Sequence, residues 1–319
     1  MNAKPGRKAT AAGISIISNL SLVILKLIVG LITSSVSVLS EAAHSGIDLV
    51  ASGIAYFSVK RADLPADQRH AYGHGKIENL SGAVEAILIF VAALFIIHEA
   101  VGKLLSKEPI QSLGLGIWVM AFSAVTNLVI SLYLLRVAKA TDSMALEADA
   151  HHLLTDVYTS AGVMLGLLLI RQTGIVLLDP LFALGVALLI TKTAYSLTRK
   201  SLGPLMDAKL PDEEEELIAS IIRDHSSQFV EFHNLRTRKA GSQRHIDLHL
   251  VIKEDAHVEE AHRICDHLEA EIRAALPQSM ITIHIEPDSI SRLQAQGGRD
   301  AGVPETNGKP IEEYQGPPG

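Results

Sequence analysis

The chain has 319 residues, of which 48% are hydrophobic and 20% charged, and a mean hydropathy of +0.27. That is too apolar for an ordinary soluble protein of this length. A net charge of −7 and a pI near 6.0 argue against a nucleic-acid binder. The single cysteine, Cys265, excludes an intramolecular disulfide and any zinc site built on several thiolates.

The first two hundred residues contain several runs of about 20 mostly apolar residues, the length needed to cross ~30 Å of hydrocarbon. The first run, AAGISIISNLSLVILKLIVGLITSSVSVLS, is longer than a signal-peptide core and lacks a clear cleavage site. It reads as a retained membrane helix behind a short N-terminal segment, 1–10. Six membrane helices are expected, at 11–34, 38–60, 80–104, 113–136, 145–170 and 175–199. On hydropathy alone only the first and third stand out, because the second and fifth carry ionisable residues and polar breaks flank the others. Lys4, Arg7, Lys8, Lys60, Arg61, Arg69, Lys76, Arg136, Lys139, Arg199 and Lys200 fall at one set of ends, against Lys103, Lys107 and Arg171 at the other. By the positive-inside rule both termini are cytoplasmic.

The second helix contains EAAHSGIDLV, with His44 and Asp48 four residues apart, and the fifth contains AHHLLTDVYT, with His152 and Asp156 at the same spacing. An ionisable side chain at mid-membrane costs about 2.5–3.5 kcal/mol on insertion scales. Four on two helices point to a function rather than to two polar contacts between helices. Residues i and i+4 share a helix face. Two such faces, opposed, offer two imidazole nitrogens and two carboxylates, a tetrahedral set suited to Zn²⁺. In the doublet His151–His152, only His152 has an aspartate at i+4. Between the second and third helices, ADQRHAYGHGK spaces Asp67, His70 and His74 so that three ligands can close on one metal. A plain solvated loop turned by Gly73 and Gly75 is the competing reading.

At GPLMDAKLPDEEEELIASII the apolar runs stop. Pro211 suits the first turn of a helix, and Asp212 and Glu213 suit its positive end. The order that follows, α-β-β-α-β over about 80 residues, fits a small cytoplasmic α+β domain at 206–290 with a ferredoxin-like arrangement. His245, Asp247 and His249 alternate with Ile246, Leu248 and Leu250, as in a half-buried antiparallel strand. From 291 to 319 almost no apolar residue remains, and a disordered tail is expected.

The six-helix layout, SEAAHSGID, DQRHAYGHGKIENL, ADAHHLLTD and LMDAKLPDEEEE together resemble the cation diffusion facilitators, a family of proton-coupled exporters of divalent transition metals. The resemblance runs from about residue 10 to residue 288. It implies that His44, Asp48, His152 and Asp156 form the transport site, and that Asp67, His70 and His74 form a second metal site. It also implies a cytoplasmic metal site drawing on His233, His249, His262, His284 and Glu286, with Glu286 standing where an aspartate often sits. The remaining histidines of this domain read as surface residues. Lys76 and Asp207 match an ion pair that holds the bundle at the membrane–cytoplasm junction. Many bacterial members resemble Asp-x-x-x-Asp on the second helix. His44 departs from that pattern, toward the two-His, two-Asp set associated with zinc-selective members.

The function expected is efflux of Zn²⁺ from the cytoplasm in exchange for protons, by a homodimer embedded in lipid, in a bacterial inner membrane. The alternatives are export of Fe²⁺, Co²⁺, Ni²⁺ or Cd²⁺, and a membrane-anchored metal sensor. An intramembrane metalloprotease would need a motif such as His-Glu-x-x-His, which the chain lacks.

Overall fold

The computed structural model describes residues 6–33, 36–106, 114–173 and 178–289. The tail expected at 291–319 lies outside the described residues. The chain divides into two units, Met1–Leu210 with Thr237–His245, and Pro211–Arg236 with Ile246–Gly319.

The first unit is built from six long helices: α1 (Arg7–Thr33), α2 (Val36–Ala62), α3 (Lys76–Ser106), α4 (Gly114–Thr141), α5 (Met144–Thr173) and α6 (Leu178–Leu205). Each has 27 to 31 residues. At 1.5 Å per residue they run about 40–46 Å, longer than the hydrocarbon of a bilayer. Among the described residues, four contain stretches long and apolar enough to cross a membrane on length and composition alone: Arg7–Ile32, Lys76–Gly102, Ala121–Thr141 and Pro180–Leu205. Where sequence patterning isolates only the first and third, α4 and α6 therefore qualify as well. Arg136 and Lys139 in α4, and Arg199 and Lys200 in α6, sit in the last two turns; before them α4 has no charged residue and α6 has only Asp179 and Lys192. The two helices that fall short, α2 and α5, are those carrying the His–Asp pairs.

Burial runs in the sense of a protein solvated by lipid. Ser15, Asn19, Ser52, Glu85 and Asp149 are at most 3% exposed, whereas Leu31, Ile32, Trp118 and Tyr195 are 69–79% exposed. Packing is most extensive between α3 and α6, α1 and α2, and α4 and α5. Small residues allow the close approach: Ala51, Ala55, Ala86, Ala93, Ala148, Ala187 and Ala194 are fully buried. A Cβ added to Gly82 of α3 would lie 2.7 Å from Ser201 Oγ of α6.

The first unit also holds the tip of a hairpin, Thr237–His245. Gly241 Cα and the backbone of Gly75 pass so closely that a Cβ on Gly75 would collide with the Ala240 carbonyl, and one on Gly241 with the Gly75 carbonyl. Gly75 is thus required by that approach, while Gly73 and Gly241 have positive φ, 80° and 59°. Asn79 Oδ1 accepts from Gly241 N (2.8 Å), Lys8 Nζ donates to Ser242 Oγ (3.1 Å), and Lys239 Nζ reaches Asp142 Oδ1 (2.6 Å).

The second unit follows the expected order, with α7 (Asp212–Asp224), β1 (Glu231–Ala240), β2 (Gln243–Ile252), α8 (Val258–Ala275) and β3 (Ser279–Pro287). Its sheet has three strands in the order β1-β2-β3. Pro211 is the residue before the first turn of α7 rather than within it, and Asp212 to Glu215 occupy that turn. Ile218 and Ile222 of α7 and Ile264, Cys265, Leu268 and Ile272 of α8 form the buried faces. Burial and the acidic neighbours Glu269 and Asp266 push the Cys265 thiol up, consistent with a packed side chain rather than a ligand.

Candidate metal centre

The i, i+4 spacing puts His44 and Asp48 on one face of α2 and His152 and Asp156 on one face of α5. The contacts run between helices, not within them. His152 Nε2 lies 3.1 Å from Asp48 Oδ1, and His44 Nε2 lies 3.7 Å from Asp156 Oδ1. Ligand atoms of His44, Asp48 and Asp156 all fall within 4.8 Å of one another. Asp48 and His152 are 4% and 5% exposed. His152 Nδ1 is buried with no hydrogen-bond partner among the described residues. Asn127 Nδ2 donates to Asp156 Oδ2 at 3.3 Å, so this asparagine of α4 orients a carboxylate of the group. His151 faces elsewhere and does not join it. His44, Asp48 and Asp156 border a cavity of about 520 Å³ also lined by Lys26 and Phe95, and His152 reaches this group through Asp48. Lys26 Nζ donates to Ser45 Oγ at 2.7 Å.

One helical turn away lies a second buried polar layer. Ser52, one turn after Asp48, donates to Asp149 Oδ1 (2.8 Å), one turn before His152. Asn19 Nδ2 donates to Ser52 Oγ (2.7 Å), and Ser15 Oγ is 3.1 Å from it. Asp149 and Glu85 are completely buried, and neither Glu85 oxygen has a hydrogen-bond partner among the described residues. Lys26, Glu85 and Asp149 were not singled out from the sequence. The available signal was a single charge set in an apolar stretch, as in LVILKLIVG and SGAVEAILIF.

In the loop after α2, His70 Nδ1 is 3.3 Å and His74 Nε2 3.4 Å from the Asp67 carboxylate. Asp67 Oδ1 also accepts from the backbone N–H groups of His70 (2.7 Å) and Arg69 (2.8 Å). Those two bonds, chiefly that from His70, hold its carboxyl below the usual range and keep it available as an anionic ligand. Lys76 Nζ meets Asp207 Oδ1 at 2.9 Å, and Arg238 joins at 3.3 Å. The pair is more exposed than a partly buried clamp, with side chains 38% and 53% accessible, because Asp207 sits in the turn after α6.

In the second unit His233, His249 and Glu286 converge: Glu286 lies 2.8 Å from His249 Nδ1 and 3.5 Å from His233 Nε2. Asn234 Nδ2 donates to His249 Nε2 (3.1 Å), so Nδ1–H donates to Glu286. His284 stands at the edge, 3.7 Å from Glu286. His262 is not brought into this group. It occupies the solvent side of α8, opposite the Ile264–Leu268–Ile272 face, with Asp266 3.5 Å away. One other histidine expectation changes: His245 is 5% exposed rather than at the surface. His225 and His267 stand together beside Glu271.

Residues 12–206 match the family model of the cation efflux transmembrane domain, and residues 210–288 that of the cation efflux protein cytoplasmic domain. An uncharacterized transporter of Synechocystis is 39% identical over 80% of this chain and 83% of its own. The cation-efflux pump FieF of Yersinia enterocolitica is 33% identical over 89% and 93%. A solved structure of CzrB in its Zn form is 41% identical, over 25% of this chain and 92% of that one, at a TM-score of 0.25.

Proposed function

This chain belongs to the cation efflux family, the cation diffusion facilitators, and on that premise we propose that it exports Zn²⁺ from the cytoplasm in exchange for protons. It is an integral membrane protein of a family of cation transporters. The observation that carries the zinc reading is the approach of two imidazoles and two carboxylates across α2 and α5. His44, Asp48, His152 and Asp156 supply two nitrogens and two oxygens, which suit Zn²⁺ better than Mn²⁺ or Mg²⁺. In this reading all six long helices span the bacterial inner membrane, both termini are cytoplasmic, and the second unit is a ferredoxin-like domain that joins two copies into a homodimer. Asp67, His70 and His74 form the loop site, and His233, His249 and Glu286, with His284 at the edge, form the domain site.

Alternating access follows from charge. Zn²⁺ with two carboxylates and two neutral imidazoles carries no net charge. The same site holding two imidazolium ions in place of the metal is also neutral. A bare dianionic site would pay the cost of charge at low dielectric and reorient slowly. Histidine changes charge between pH 5 and 8, so up to two protons exchange for each metal.

The test is uptake into proteoliposomes with a panel of Zn²⁺, Cd²⁺, Co²⁺, Ni²⁺ and Fe²⁺ under an imposed pH gradient, with internal pH recorded. Zinc entry with proton counterflow is expected. Zinc entry at an unchanged rate after an ionophore collapses the gradient, with no proton movement, would show a uniporter. Binding without flux of any metal would favour a sensor.

A further inference from the structure

We propose that His225, His267 and Glu271 form a separate divalent-cation site in the second unit, independent of the His233–His249–Glu286 group. The site would take a borderline transition-metal cation of the Zn²⁺ or Co²⁺ class. His267 and Glu271 are one turn apart on α8 and share a face, and His225 caps the C-terminus of α7. Their donor atoms form a near-equilateral triangle. His225 Nε2 is 3.0 Å from His267 Nε2 and 3.6 Å from Glu271 Oε1, and His267 Nε2 is 3.4 Å from the same oxygen. Ligands bound tetrahedrally at 2.0–2.1 Å lie about 3.3 Å from one another. The three atoms therefore occupy three corners of such a site, with the fourth left to water.

The orientation of the rings fits ligation. His225 Nδ1–H donates to the Ile221 carbonyl at 3.0 Å, one of the carbonyls a helix C-terminus leaves unbonded. That bond fixes the tautomer and turns the Nε2 lone pair toward the triangle, as a backbone carbonyl does behind many metal-bound histidines. The two rings are 4.8 Å apart at 74°, so they converge at their nitrogens instead of stacking. A hydrogen bond between the two Nε2 atoms would use one proton and leave the carboxylate beyond hydrogen-bonding distance of both rings. A cation satisfies all three donors at once. With two nitrogens and one oxygen, the set selects transition metals over Mg²⁺ or Ca²⁺. Side-chain exposures of 15%, 53% and 43% leave it open to solvent. Occupied, it would staple the end of α7 to the middle of α8.

Full-length protein in detergent tests this, in a background where Asp156→Ala, His74→Ala and His249→Ala disable the other three groups. Titration with Co²⁺ should show one bound ion per chain with the visible absorption of a four-coordinate site, and Zn²⁺ should displace it. His267→Ala should abolish that ion, Glu271→Gln should weaken it at least tenfold, and His262→Ala, on the same helix, should leave it unchanged. Circular dichroism and elution volume establish that each variant is folded. A background protein that binds no Co²⁺, or a His267→Ala protein that still binds one full equivalent, overturns the site.

Discussion

His152 of α5 reaches Asp48 of α2 at 3.1 Å, while His44 of α2 faces Asp156 of α5 at 3.7 Å. Each helix thus contributes one nitrogen and one oxygen to contacts made with the other helix. Any motion that slides α2 along α5 separates both contacts together. In the transport site proposed above, metal binding at this seam would therefore be coupled to helix position.

The ligands and their supporting residue should separate by magnitude. Removing an outer hydrogen-bonding partner of a metal ligand costs roughly 10–100-fold. Asn127→Ala, which deprives Asp156 Oδ2 of its 3.3 Å bond, should lower the initial zinc flux by about tenfold. Asp48→Ala, His152→Ala and Asp156→Ala should each lower it by more than about 100-fold, with a folded protein in every case. His151→Ala should be mild. Equal losses for Asn127→Ala and Asp156→Ala would place Asn127 among the ligands.

Gly75, next to His74 of the loop group, offers a stability test of the backbone approach to the hairpin tip. A Cβ there runs into the Ala240 carbonyl, whereas one at Gly185 meets nothing within 4 Å. Overpacking against backbone costs about 1–3 kcal/mol. Gly75→Ala should lower the melting temperature in detergent by several degrees, and Gly185→Ala should not. Equal melting temperatures would mean that the hairpin tip does not hold this position in solution.

The helices and the order α-β-β-α-β were legible because hydrophobic runs and strand alternation are local signals. The two His–Asp pairs of α2 and α5 were legible because i, i+4 spacing is local too, and charges in apolar runs are rare. The crosswise contacts were not, since they depend on how α2 meets α5. Glu85 escaped notice because it has no ligand-type neighbour at helical spacing, and Asp149 because its neighbour at i+3, His152, was already paired with Asp156. The set His225, His267 and Glu271 needed the end of α7 to meet α8, a contact no local pattern encodes. His262 was named on the family resemblance alone, and the face of α8 it occupies is fixed by where Ile264 and Leu268 pack.

Asp207 predicts a pH dependence. The Lys76 ammonium, and then Arg238, hold its carboxyl below the ordinary aspartate value of 3.8. A lowered folded-state value means that the pair's stabilisation is present above about pH 4 and is lost as pH falls through the lowered value. Because the carboxylate is half exposed, the contribution is small, about 0.5 kcal/mol. Asp207→Asn should therefore melt slightly below wild type at pH 7, and the difference should shrink in acid as pH falls through the lowered value. A difference that persists undiminished in acid would assign the effect to the turn itself, where Asp207 has a positive φ of 55°, and not to the ion pair.

In the proposed transport site, His44 is the position where selectivity is most open to change. It is half exposed and at 3.7 Å makes the looser of the two contacts, so a different side chain fits without repacking. His44→Asp removes one of two nitrogen donors and adds a third carboxylate. The donor set becomes harder, which narrows the advantage of Zn²⁺ over Mn²⁺ and Fe²⁺. It also changes charge: a loaded site with three carboxylates and one neutral imidazole is net negative by one, where the wild-type site is neutral. That surplus disfavours passage through the low-dielectric centre, so zinc flux should fall even as the range of cations widens. The expected result in proteoliposomes is a slower zinc rate and a ratio of zinc to manganese rates reduced by about tenfold, equivalent to ~1.4 kcal/mol of lost discrimination. His44→Ala distinguishes the two effects, since it removes the nitrogen without adding the charge and should slow every metal. If His44→Asp leaves the zinc-to-manganese ratio where it was, the nitrogen at position 44 does not set selectivity, and the choice of metal rests on His152.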